Sequence, residues 1–167
     1  MQTLIMGLGN ELLGDEGIGV HAARLLQQEN LPENVQVVEV GTAILDYLEY
    51  LENAERIIII DAMKADGLPG TVYRIPLADC RAQACIASMH GFDLFRVMAL
   101  AGTTATPSAT VFGVEPEVVS WSMDLSPAAK EAMDFLVETI RSESLSNPAD
   151  ECRGSITISC QAKRFRN

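Results

Sequence analysis

Thr3-Leu4-Ile5-Met6-Gly7-Leu8-Gly9-Asn10-Glu11-Leu12-Leu13-Gly14-Asp15-Glu16-Gly17-Ile18-Gly19 reads as an apolar strand that runs into a glycine-spaced loop and then a helix. The glycines let the backbone take positive φ and pass close to other groups. A glycine loop after a strand ordinarily binds phosphate, because bare amides at a helix N-terminus attract anions. Here Asp15 and Glu16 stand where that phosphate would go. Two carboxylates at a strand-to-helix corner repel a nucleotide and invite a cation or a proton.

Strand and helix signals alternate along the rest of the chain. Thr3–Leu8 is strand 1, and residues 17–29 read as a helix with Ile18, Ala22 and Leu25 on one face. Leu31-Pro32-Glu33-Asn34 breaks that helix. Residues 35–40 read as strand 2 and 44–51 as a helix. Arg56–Ala62 holds four consecutive isoleucines, which suits a central strand buried on both faces. Strands joined through helices run parallel with right-handed crossovers, so strands 1, 2 and 3 form a parallel core with strand 1 in the middle. Only residues 63–69 separate strand 3 from strand 4 (residues 71–75), too few for a helical crossover, so strand 4 runs antiparallel. A long loop, 76–92, leads to a helix over 93–101, and strand 5 follows at 108–114. Ser126-Pro127 supplies an N-cap and an N1 proline for a last amphipathic helix. The expected fold is a three-layer α/β/α domain with a five-stranded mixed sheet. It occupies residues 1–141. Residues 142–167 read as a mobile tail, within which 155–160 alternates enough for a short edge strand.

Composition narrows the function. The net charge is −11, with the acid excess confined to the part before Ser142. That argues against a nucleic-acid partner, which needs Lys/Arg clusters. No signal-peptide pattern and no apolar run of transmembrane length is present, so the expected setting is the cytoplasm, away from membranes. Cys80, Cys85, Cys152 and Cys160 form no CxxC pair and are expected to be reduced and inert. The spacing Cys80-x4-Cys85-x4-His90 raises a soft-metal site but matches no common zinc pattern.

Ligands in open parallel sheets bind beyond the C-terminal strand ends, where the strand order reverses. Glu16 follows strand 1, and Asp61 lies at the end of strand 3. Neighbouring strands lie about 5 Å apart, so both carboxylates reach one point. His90, before a helix in the long loop, folds back over the same edge. Two chemistries fit. The three side chains form an O/O/N ligand set with open positions for a divalent transition metal that contacts substrate. Alternatively, Glu16 and Asp61 share a proton and activate water, as like charges at close range do. His21, inside the first helix, reads as structural. No serine or cysteine stands in a nucleophile elbow.

In these residues the chain resembles the hydrogenase maturation proteases, which process the large-subunit precursor of nickel–iron hydrogenases. The resemblance covers roughly residues 1–141. Its most specific part is Gly7 to Gly19. Asp61-Ala62, Ser88-Met89-His90, Gly113-Val114-Glu115-Pro116 and Leu125-Ser126-Pro127 follow in the family's order. Carried over residue by residue, the family's metal-contacting positions fall on Glu16, Asp61 and His90. The resemblance implies an endopeptidase that removes a C-terminal extension once nickel has been inserted. Nickel arrives with the precursor, and Cd²⁺ or Zn²⁺ would serve as surrogates. The enzyme is expected to work as a monomer. One departure stands out: where the family often shows Asp-Gly-Gly-Thr after strand 2, this chain has Glu39-Val40-Gly41-Thr42, which bears on which hydrogenase is served. A non-enzymatic nickel-delivery protein with the same ligands is the competing reading, and a nucleotide-binding module a third, disfavoured by Asp15 and Glu16.

Overall fold

We describe a computed structural model of the protein over residues 2–77, 79–80, 108–146 and 156–158. β1 (Thr3–Leu8) and β3 (Arg56–Ala62) are buried along their whole lengths. They pair in parallel, with Ile5 opposite Ile58 and Gly7 opposite Ile60. β2 (Val35–Gly41) lies on the other side of β1, and β5 (Ser108–Val114) on the other side of β3, both parallel. β4 (Val72–Pro76) runs antiparallel beside β5. The order β2-β1-β3-β5-β4 is therefore the mixed five-stranded sheet expected from sequence, with strand 1 between 2 and 3. A sixth strand, the three-residue β6 (Ile156–Ile158), adds antiparallel to the free edge of β4.

The isoleucine run shows why three layers form. Side chains alternate across a strand, so Ile57 and Ile59 enter one core while Ile58 and Ile60 enter the other. The first core is closed by Ile44 and Leu51, from the segment that ends in α2 (Leu48–Asn53). The second is closed by Ile18, Ala22 and Leu26 of α1 (Ile18–Leu26) and by Ala129, Leu136 and Ile140 of α3 (Pro127–Leu145). Each fully buried isoleucine contributes on the order of 1.5–3 kcal/mol, which commits β3 to the centre.

Helix boundaries differ from the periodic pattern at three places. The segment 14–17 is a 3-10 turn that precedes α1, and α1 stops at Leu26. The segment 44–47 is likewise a 3-10 turn ahead of α2. Ser126 caps α3 as expected, its Oγ accepting from the Ala129 amide at 3.1 Å. The domain boundary at 141 needs correction, because α3 continues to Leu145. The extra turn is held by charge. Glu143 accepts from Arg56 Nη2 at 3.1 Å and from Arg74 Nε at 3.1 Å, and its carbonyl accepts from Arg56 Nη1 at 2.7 Å. Arg56 is 1% exposed, and a buried guanidinium needs such partners. The helix expected over 93–101 lies outside the described residues, as do Cys85, Cys152 and Cys160. Cys80 is buried in the first core. No helix among the described residues is long and apolar enough to cross a membrane.

Candidate active site

The chain leaves β1 toward β2 on one side and later crosses to β3 on the other. The strand order therefore reverses between the C-terminal ends of β1 and β3, the point at which open α/β sheets bind their ligands. Backbone packing fixes that point closely. A Cβ at Gly19 would overlap the carbonyl oxygens of Leu8 and Ile60, and one at Gly9, where φ is +117°, would overlap that of Glu16. Only glycine allows α1 to sit down onto the strand ends. The 3-10 turn bearing Glu16 is thus pressed against β1, and the first turn of α1 against the residue before Asp61.

Glu16 is half-buried in that turn. Asp61 is 4% exposed, and its Oδ1 accepts from the Ala62 amide at 2.8 Å. The structure therefore brings two of the three expected site residues to one edge of the sheet. The third, His90, lies outside the described residues. Among the described residues no group of three His, Cys, Asp or Glu side chains is placed to hold a metal ion.

Asp15 does something the sequence did not reveal. Its carboxylate is buried and accepts three amides: Glu117 at 2.8 Å, Val118 at 3.0 Å and Ser126 at 2.7 Å. Burial pushes this carboxyl upward, but the hydrogen bonds from Ser126, Val118 and Glu117 outweigh it and hold it below the ordinary value. The two acids of the corner thus differ: Asp15 is a buried anchor, while Glu16 beside it is half-buried. The link was invisible locally because the partners lie about a hundred residues away along the chain.

Two further acids stand at this end of the sheet. Glu115, at the end of β5, is buried and accepts from the Ala65 amide at 2.9 Å, the Gly67 amide at 3.2 Å and Tyr73 Oη at 2.8 Å. It fastens the turn that follows Asp61. Burial, and then the facing carboxylate, push the Tyr73 hydroxyl well above its ordinary pKa. Glu39 stands opposite Gly7 at the end of β2. Arg24 of α1 bridges it at 2.7 Å and Glu11 at 2.9 Å. The hydrogen bond from Arg24 holds the Glu11 carboxyl below the usual range. His21, taken as structural, has its Nε2 at 3.9 Å from Glu11. No linear spacing connects Glu11, Arg24 and Glu39. Only the β1–β2 register does.

A family model described as HycI hydrogenase maturation protease matches residues 20–143. The hydrogenase expression/formation protein HupD of Rhodobacter capsulatus is 34% identical over 147 residues, spanning 84% of this chain and 70% of that protein. The hydrogenase 2 maturation protease of Escherichia coli K12 is 33% identical over 147 residues, spanning 84% and 88%. The solved structure of the hydrogenase maturating endopeptidase HybD from E. coli superposes with a TM-score of 0.78 at 31% identity, covering 86% of this chain and 91% of that one.

Proposed function

Since the chain belongs to the hydrogenase maturation protease family, and is a peptidase of that family, we propose that it cuts the C-terminal extension from the large-subunit precursor of a nickel–iron hydrogenase after nickel insertion. Glu16, Asp61 and His90 contact the nickel that the precursor carries. The observation behind this reading is the arrival of Glu16 and Asp61 at the strand ends on either side of the switch point.

In this reading the nickel belongs to the substrate. Two carboxylates and an imidazole suit a divalent transition metal that keeps positions open for substrate groups. The Ala62 amide steadies Asp61, so little reorganisation is needed when charge arrives. Bound nickel would mark the finished precursor and polarise a nearby carbonyl. The protein works as a monomer in the cytoplasm.

The deciding experiment incubates the protein with nickel-loaded and nickel-free precursor and follows precursor mass. Loss of the extension from the loaded form alone is the expected result. An unchanged mass accompanied by nickel transfer to the precursor would instead make the protein a delivery factor.

A further inference from the structure

Leu12, Val118, Val119, Trp121 and Met123 are large apolar side chains, all exposed, on two loops that flank the turn carrying Glu16. Trp121 is 81% exposed and Met123 69%, far beyond what scattered surface apolar residues need. The loops are stitched together by backbone. The Ser122 amide donates to Leu12 at 3.0 Å, the Gly14 amide to Ser122 at 2.7 Å and the Asp15 amide to Val118 at 3.1 Å. A short parallel bridge joins Leu13 and Ser122. The Asp15 carboxylate then ties both ends of the segment, at Glu117, Val118 and Ser126. Irregular chain is thereby held in one shape, so a partner that lands on it loses little loop entropy.

We propose that this apolar surface docks the body of the protein substrate and so delivers its cleavage segment to Glu16, which is one residue from the anchor. The inference rests on the protease reading above, and charge chooses the occupant. Neither residues 2–23 nor 108–129 contain a lysine or arginine, whereas Glu16, Glu117 and Asp124 lie in these segments beside the patch, and Glu11 is already paired with Arg24. A two-fold contact between copies would set these carboxylates against one another. A partner with an apolar centre and a basic rim meets both features. Exposed tryptophan and methionine are the residue types that carry binding energy at such interfaces.

Trp121 is the sole tryptophan of the chain. Enzyme labelled with 5-fluorotryptophan therefore gives a single fluorine resonance that reports the patch, and processing kinetics on nickel-loaded precursor complete the test. On adding nickel-free precursor, which is expected to stay uncut, to the wild-type enzyme, the resonance is expected to shift and broaden. Trp121→Ala and Met123→Ser, each confirmed as folded by circular dichroism, are expected to raise KM by roughly thirty-fold while the rate at saturating precursor is retained. Unchanged KM in both variants, with wild-type enzyme cutting normally, would overturn the docking surface and leave the protease reading standing. Wild-type enzyme that never cuts loaded precursor would defeat the protease reading itself. Sedimentation as a dimer that Trp121→Ala converts to monomer would reassign the patch to self-association and overturn the proposal.

Discussion

The Asp15 carboxylate accepts the backbone amide of Ser126 at 2.7 Å, and Ser126 in turn caps α3 through the Ala129 amide. One buried acid thus joins the loop after β1 to the start of the last helix, and the residue beside it is Glu16.

Asp15→Asn is expected to lower stability in urea by about 2–3 kcal/mol, since charged hydrogen bonds are lost and an amide NH₂ is turned toward backbone donors. The same bond set predicts a pH effect. The folded carboxyl lies below its ordinary value of 3.8, so the unfolded chain takes up this proton first. The stabilisation is complete above that value and disappears as pH falls below it. Wild-type stability should drop more steeply in this acid range than that of Asp15→Asn. Parallel slopes would show that the anchor is not ionised.

Gly19→Ala sets two effects against each other. Alanine gains about 1 kcal/mol of helix propensity, but its Cβ would overlap two backbone carbonyls that cannot rotate away. Overpacking against fixed backbone costs roughly 1–3 kcal/mol. The expected result is a net loss in thermal unfolding together with slower processing, because Glu16 is displaced. A stabilised, fully active variant would show that α1 can lift off the sheet freely.

Ending the chain after Arg141 removes Glu143 and leaves the buried Arg56 and Arg74 without that carboxylate. The expected cost is about 3–5 kcal/mol. Glu143→Gln should cost less, because it keeps an oxygen acceptor for Arg56 and Arg74. Equal denaturation midpoints for the truncated and full-length chains would place the domain boundary back at 141.

For the catalytic assignment, Glu16→Gln keeps an oxygen ligand but loses charge. If Glu16 contacts nickel, processing falls and partly recovers as nickel loading of the precursor is raised. If Glu16 and Asp61 are a proton-sharing pair, added nickel restores nothing, and the wild-type pH profile is a bell belonging to the pair. A companion His90→Ala enzyme should bind Ni²⁺ or Cd²⁺ more weakly, with the wild-type affinity declining as the imidazole protonates. Full metal binding by that variant would remove His90 from the site.

Tyr73→Phe deletes the hydroxyl that donates to Glu115 at 2.8 Å. A loss of about 1 kcal/mol is expected, and a double-mutant cycle with Glu115→Gln should show coupling. Additive effects would mean that the turn after Asp61 is held by the Ala65 and Gly67 amides alone.

The sheet was legible because its central strands are buried on both faces and appear as unbroken apolar runs, with Arg56–Ala62 the clearest case. The antiparallel sense of β4 followed from the shortness of the preceding connection. Glu16 and Asp61 could be named as site candidates because an acid just beyond a parallel strand and one at the end of its neighbour stand where open sheets bind ligands. Asp15, Glu115 and Arg24 could not, since each acts through partners brought close only by folding: amides across the 115–126 loop, a turn over the end of β5, and an acid on the neighbouring strand. Helix starts were misplaced for a related reason. Periodicity marks which face is buried but not where a 3-10 turn becomes an α-helix.

The pairing of β6 with β4 has a bearing on how this protein behaves in concentrated solution. A bare outer strand offers a row of open amides and carbonyls to any other chain, and Arg74 to Val72 would be such a row. Thr157 and its neighbours occupy that row from within the same chain. A chain cut short before Ile156 therefore carries a template for strand addition, and its handling during purification becomes a question of intermolecular sheet growth rather than of the fold's own stability.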